Sequence, residues 1–387
     1  MDHETLISLK QTVRRFVRER LVPLEEQVAE NDEVPTGIIE EMAQMGLFGL
    51  TVPEEYGGMG LRSDEEVELV LEIAWASLAF RSWIGINLGV GSQGIVQLGT
   101  DAQKAEWLPR IASGEMITAF ALTEPESGSD SAALKTTARR DGDDYVLNGT
   151  KRFISNAPRA GLITVMARTS AEKLPGNRHV TAFLVPRDAP GLSIGRRDRK
   201  MGQSGAWTAD VILDDVRVPA SAIVGGEEGR GFELAMRVLD RGRVNVASSC
   251  VGQGRRILHE ALAFATNRQQ FGQPIADFQL VQALLADSYA DLFATECMLR
   301  ETARRVATGE RVSLEASALK MFASEAVGRI ADRAVQIHGG AGYMRDSVVE
   351  RLYRDVRVLR IYEGTTQIQQ IIIGKELARR GAGFLAA

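Results

Sequence analysis

The sequence predicts a multidomain α+β chain, helical at both ends and β in the middle, and three observations carry that reading. At 387 residues the chain exceeds what one ordinary hydrophobic core organises, so two or three closely packed domains are expected. Apolar positions recur at helical spacing over residues 1–119 and again over 226–387, which sets the helical N-terminal and C-terminal domains. Between them, residues 120–225 read as short alternating or wholly apolar runs set off by turn residues, the pattern of a barrel-like or sandwich-like β domain.

Each element has its own signal. Leu6, Leu9, Val13, Phe16 and Val17 space the apolar face of a first helix, and the turn residues of "VPEEYGGMG" punctuate the helices that follow. The string "GVGSQG" (Gly89–Gly94) matches the GxGxxG pattern of dinucleotide-binding folds, but a helical stretch precedes it and no second strand follows. Close helix packing, or room for a ligand, is the better use of those glycines. Strands are expected in "DYVLNGTKRFISN", "LITVMART", "VTAFLVP" and "ADVILDDVRVP". After the hinge-like "VGGEEGRG" (224–231), helical spacing resumes and runs through "QALLADSYADLFATECMLRETARRVATGE", where Gly309 suits a helix end. Thr366 and Gln369 have capping-box spacing, so a last helix is expected from Thr366 to Gly381.

Composition narrows the function classes. A hydrophobic share of 44% with 25% charged residues excludes a disordered chain, and a formal charge of -5 gives no global pull toward nucleic acid or an anionic membrane. Cys250 and Cys297 lie in helix-like stretches and offer neither a disulfide framework nor a CxxC site. The four histidines, His3, His179, His259 and His338, lack metal-ligand spacing, so no metal is expected. No apolar run approaches the roughly 20 residues that span a bilayer, and the charged N-terminal stretch does not read as a signal peptide. Membrane insertion is not expected; a cytoplasmic location is.

Chemistry concentrates in "IYEGTTQIQQ" (361–370), where Glu363 stands in the loop before the last helix. Two readings are open for it. It is a loop acid, solvated or paired with Arg357 or Arg360, or it is a carboxylate held among apolar groups, with its pKa raised into the range a general base needs near neutral pH.

Four further strings accompany it in register: "ALTEPESGSD" (121–130), "YVLNGTKRFISNA" (145–157), "NRQQFGQPIADFQ" (267–279) and "QIHGGAGY" (336–343). Together the five resemble the acyl-CoA dehydrogenases, over essentially the whole chain. The resemblance implies a C-terminal four-helix bundle and an FAD enzyme that removes a proton from Cα and a hydride from Cβ of an acyl-CoA thioester. The product is a trans-2-enoyl-CoA, flavin N5 takes the hydride, and electrons pass to an electron-transfer flavoprotein. Glu363 would be the base, and its N–H, with a ribityl hydroxyl, would bind the thioester oxygen. Some relatives carry the base on an earlier helix, at a point that falls here on Gly242; glycine has no acid to offer, which favours Glu363.

The same resemblance implies the contacts. Phe120, Leu122, Thr123, Gly128 and Ser129 would lie along the isoalloxazine and pyrophosphate, Ser129 also near the thioester. Phe153, Ile154 and Ser155 would flank the ring, with Phe and Ser standing where many relatives carry Trp and Thr. Arg268, Phe271, Phe278 and Gln279, with Gln336, Gly339 and Gly340, match residues that reach an FAD held by a neighbouring subunit, which implies a homotetramer built as a pair of dimers. Thr365 and Gln367 match a cofactor-contacting pair, and Asp240, Arg243 and Gly364 match positions that touch the acyl-CoA. By their residue types alone, Phe153 is also a core aromatic, Thr365 and Gln367 are capping residues, and Asp240 with Arg243 is a helix-surface ion pair.

Three rival readings remain. An acyl-CoA oxidase would share fold and base, but those relatives are usually much longer. A catalytically silent flavin- or acyl-CoA-binding scaffold would have lost Glu363 or the flavin strings. Phe80-Arg81-Ser82 resembles a segment of glutaryl-CoA dehydrogenases in which the arginine receives a distal carboxylate. If a protein acid such as Glu72 masks Arg81, a short, medium or branched monocarboxylic acyl-CoA is the expected substrate.

Overall fold

The computed structural model describes residues 1–385. The first helix, α1 (His3–Phe16), starts at Asp2, whose carboxylate accepts the Thr5 N–H, and turns Val13 and Phe16 fully inward. Leu6 and Leu9 are only partly buried against the same core. Six more helices complete this region: α2 (Glu25–Asn31), α3 (Thr36–Gln44), α4 (Ser63–Ile73), α5 (Leu78–Leu88), α6 (Gln93–Leu98) and α7 (Asp101–Ala112). Gly89 ends α5, and a Cβ on Gly91 would lie 1.9 Å from Thr118 Oγ1, so the "GVGSQG" glycines serve close packing and no strand precedes them.

The middle region holds β1 (Thr118–Ala121), β2 (Thr137–Asp141), β3 (Asp144–Ser155), β4 (Leu162–Arg168), β5 (Val180–Pro186), β6 (Leu192–Ile194) and β7 (Thr208–Pro219). They form one sheet in the order β1-β4-β2-β3-β7-β6, with β5 also paired to β4. The wholly apolar run of β4 has a plain cause. Ile163, Val165 and Ala167 fill the sheet's own core, while Leu162 and Met166 meet Leu108 of α7 and Leu234 of the next helix.

The C-terminal region is α8 (Gly231–Asn267), a short hairpin of β8 (Gln269–Gln270) and β9 (Gln273–Pro274), α9 (Gln279–Ala307), α10 (Ser313–His338), α11 (Val348–Val356) and α12 (Thr366–Arg380). Helix α10 packs against α8, α9 and α12 around a core that includes Ile257, Leu299, Leu319 and Val327. Gly309, just past α9, and Gly381, at the end of α12, take the left-handed φ that a helix exit requires.

The expected capping box at Thr366 and Gln369 does not form. Thr365 is the cap, its Oγ1 accepting the Ile368 N–H at 3.3 Å. Its ψ of 161° is extended, as a cap requires, whereas Thr366 is already inside the helix. Thr366 instead donates to Glu325, and Gln369 turns its amide back toward the loop.

Buried polar contacts lock the three regions together. Glu25 accepts the Ser77 N–H and pairs with Arg256 of α8 and Arg351 of α11. Asp32 takes hydrogen bonds from Gly205 and the Trp207 indole, and Asp355 takes the Gln203 N–H.

Candidate active site

A cavity of about 760 Å³ opens where α5, the ends of β1 and β3, the first half of α8 and the loop before α12 converge. Glu363 lines it in a left-handed conformation (φ 57°), followed by Gly364 at φ 86°. Its Oε2 is shut off from solvent and has no hydrogen-bond partner. Burial pushes its pKa up, opposed by the positive charges of Arg243, Arg81 and Lys320 in that order. Neither Arg357 nor Arg360 pairs with it, and Arg360 reaches Glu325 at 3.1 Å instead. Of the two readings open from the sequence, the geometry selects the desolvated carboxylate.

Helix α8 makes room for that carboxylate by omission. A Cβ on Gly242 would stand 2.7 Å from Glu363 Oε2, so any side chain there would collide with the acid. Arg243 is buried and lines the cavity, while Asp240, which pairs with Arg243 and accepts from Ser313, does not. The pair is therefore not a solvated surface bridge; it aims a cation at Glu363.

Arg81 also lines the cavity, but Glu72 does not mask it. Glu72 binds Arg14 of α1 at 2.7 Å, and neither residue lines the cavity. The Arg81 guanidinium donates to Asn245 and leaves Nε without a partner. Among the described residues no carboxylate forms an ion pair with it.

The opposite wall is built from β1, the loop after it, and the end of β3. Phe120, Leu122, Thr123, Gly128, Ser129, Phe153, Ile154 and Ser155 all line the cavity. Phe153 is 58% exposed with φ 58°, so it is presented to the cavity and is no core aromatic. Beneath this wall Lys151, fully buried, pairs with Glu124 at 2.7 Å and donates to the Leu122 carbonyl. Glu124 also accepts the Thr136 N–H, so the segment presenting Leu122 and Thr123 is fixed from below. Trp207 completes the wall, with Arg159 stacked between it and Trp83.

These residues fit FAD. An exposed aromatic face, hydroxyls of Thr123, Ser129 and Ser155, and open space beside Gly128 suit a flat ring with hydrogen-bonding edges and a phosphate tail.

The other sequence-identified residues lie elsewhere. Arg268 caps α8, Phe271 is 94% exposed at the hairpin tip and meets Phe278 edge-on, and Gln279 opens α9. Gln336, Gly339 and Gly340 sit at the end of α10, brought beside the end of α8 by the stack of Phe264 on His338. Thr365 and Gln367 begin α12 without lining the cavity; Gly364 does line it.

Sequence reasoning missed Lys320 and Asn245. Lys320 carried a usable signal, since it falls on the face of α10 set by Ala316, Leu319, Ala323 and Val327, where a charge is out of place.

The chain matches the acyl-CoA dehydrogenase N-terminal domain over residues 3–115, the middle domain over 119–216 and the C-terminal domain over 229–378. It is 40% identical over 371 residues to a 3-(aryl)acrylate reductase of Clostridium sporogenes, covering 96% of this chain and 98% of that one. It is 38% identical over 373 residues to the caffeyl-CoA reductase-Etf complex subunit CarC of Acetobacterium woodii, with 96% and 98% covered. Among solved structures, a Mycobacterium smegmatis glutaryl-CoA dehydrogenase in complex with FADH2 superposes with a TM-score of 0.89 at 31% identity, covering 98% of this chain and 95% of that one. With the helical, β, helical order and a cavity whose walls fit FAD, these matches establish that the chain belongs to the acyl-CoA dehydrogenase family of FAD-dependent oxidoreductases acting on acyl-CoA.

Proposed function

We propose that this chain catalyses the α,β-dehydrogenation of an acyl-CoA thioester to a trans-2-enoyl-CoA, with Glu363 abstracting the Cα proton. The observation that carries this is the half-buried Glu363, whose Oε2 is shut off from solvent and unpartnered and which lines one cavity with the FAD strings. Its raised pKa suits proton abstraction from a weakly acidic carbon, and the three flanking cations keep it ionised enough to act. Bound FAD supplies the hydride acceptor. Phe120, Leu122, Thr123, Ser129, Phe153 and Ser155 would hold it, and the Glu363 N–H would donate to the thioester oxygen as charge builds there. Two relatives are named as reductases and one as a dehydrogenase. The same carboxyl would return the proton to Cα in the reverse direction, so the electron carrier decides the direction. An electron-transfer flavoprotein is the proposed carrier, and the name of the Acetobacterium relative supports it. A homotetramer is proposed because Phe271 (94% exposed), Leu280 (84%) and Tyr343 (81%) stand bare beside the residues expected to complete a neighbour's FAD.

Glu363→Gln tests the reading. It is expected to keep the fold and FAD and to lose flavin reduction by more than roughly a thousandfold, since no second carboxylate and no histidine lines the cavity among the described residues. Bleaching of the variant's flavin at the wild-type rate, in anaerobic mixing with a good substrate, would place the base elsewhere.

A second reading is favoured by Arg81. A cation in the acyl cavity that forms no ion pair among the described residues suits a substrate whose far end carries a carboxylate or another strong acceptor, and with Glu72 bound to Arg14 the masking behind the monocarboxylic expectation is absent.

A further inference from the structure

We propose that Lys320 is the positioning residue of the base: its ammonium clamps the left-handed turn at Glu363 and Gly364 through the Gly364 carbonyl, and its charge faces the Glu363 carboxylate across the buried side of that turn. The inference rests on the reading of Glu363 as the base.

The turn needs holding. Glu363 at φ 57° occupies a region that is strained for a residue with a Cβ, and such a conformation persists only where its surroundings impose it. Two side chains impose it here. Gln369, fully buried, donates to the carbonyls of Glu363 (3.0 Å) and Gly364 (3.2 Å), and Lys320 Nζ donates to the Gly364 carbonyl at 2.7 Å.

Lys320 is an unusual choice for a clamp, because its side chain is wholly buried and burying an ammonium is costly. A neutral donor would satisfy one carbonyl at less expense. The charge must therefore have a counterpart, and the groups facing it narrow that counterpart to one. Cys250 of α8 is held neutral, its thiol pushed up to about 12 by burial. Glu325 of α10 is engaged by Arg360 at 3.1 Å and by Thr366. Arg243 of α8 is a like charge, itself paired with Asp240. Arg81 of α5 faces Glu363 from the cavity side. Among the described residues Lys320 forms no ion pair, and Glu363 is the remaining acid that raises its proton affinity. Burial brings the Lys320 pKa down to about 8, so the ammonium stays charged at neutral pH.

Two variants separate clamp from charge. Lys320→Met removes both; Lys320→Gln, one bond shorter, keeps a donor and removes the charge. Anaerobic flavin reduction by butyryl-CoA and by glutaryl-CoA is followed from pH 5.5 to 9, beside FAD content and thermal melting, with Glu363→Gln run in parallel. With the cation gone the carboxyl holds its proton to higher pH, so in both variants the acid limb of the rate profile moves up by about half a unit or more. The plateau rate is expected to fall about tenfold or more in Lys320→Met and to recover substantially in Lys320→Gln. An unmoved acid limb in folded, FAD-loaded variants overturns the proposal, whether or not the plateau falls. Failure of both variants to fold with FAD also overturns it, by assigning Lys320 to the core alone. If Glu363→Gln reduces flavin at the wild-type rate, the base reading itself has failed; if it is inactive while Lys320→Met and Lys320→Gln match wild type, only the role of Lys320 has.

Discussion

At the scale of single residues, the site is governed by which charges lack partners. Glu363 Oε2 and Arg81 Nε are both buried without hydrogen bonds, at the wall of one cavity. Unpaired polar atoms in a folded interior are costly and persist where a ligand completes them. For Arg81 the consequence can be measured. Arg81→Met is expected to lower kcat/KM for glutaryl-CoA by about a hundredfold or more, the loss that follows removal of one partner from a desolvated charge pair. Butyryl-CoA should lose far less, only what one fewer cation beside Glu363 costs the base, since an apolar chain end gains nothing further from a guanidinium. A small and equal effect on both substrates would leave Arg81 as a structural partner of Asn245.

At the scale of elements, the start of α12 has two tasks. It ends the turn that carries Glu363, and it must satisfy its own first N–H groups. Thr365 caps the Ile368 N–H, which frees Gln369 to hold the carbonyls of Glu363 and Gly364. Thr365→Ala is expected to cost about 1 kcal/mol at this helix end, which reads as roughly fivefold faster hydrogen exchange at the Ile368 amide. Thr365→Ser should leave that exchange near wild type. Were Thr366 the cap, Thr365→Ala would leave the Ile368 amide unaffected. Helix α10 shows a related division of labour, with a face of small apolar residues interrupted by one lysine that serves the neighbouring loop.

At the scale of the whole molecule, the three regions meet at buried acids. Asp355 of α11 accepts the Gln203 N–H from the middle region, with Arg351, Arg354 and Glu25 close by. Burial outweighs the two arginines and lifts its pKa from 3.8 to about 6. A folded-state pKa above the unfolded one contributes stability that is present in full below about pH 3.8 and is lost as pH rises through about 6. Asp355→Asn keeps an acceptor for Gln203 and cannot ionise. Its melting temperature relative to wild type should therefore be several degrees more favourable at pH 7.5 than at pH 4.5. A difference that does not vary with pH would show that the carboxyl titrates alike in the folded and unfolded chain.

The sequence by itself determined the order of helical, β and helical regions, because periods of 3.6 and 2 are set by a residue's nearest neighbours. It also marked Glu363, the flavin strings and the absence of an acid at Gly242, since each is a local string. It placed the cap of α12 one residue late, as Thr365 and Thr366 are chemically alike and only the backbone angle separates them. Tertiary structure alone decided the electrostatics of the site. Arg81 meets Asn245 from 164 residues away instead of Glu72, Lys320 meets Gly364 from 44 residues away, and Gly242 matters because its missing Cβ is where the Glu363 carboxylate lies. Caps and periodicity are properties of a few consecutive residues, whereas the partner of a buried charge depends on how helices distant in the chain cross. No local pattern encodes that crossing.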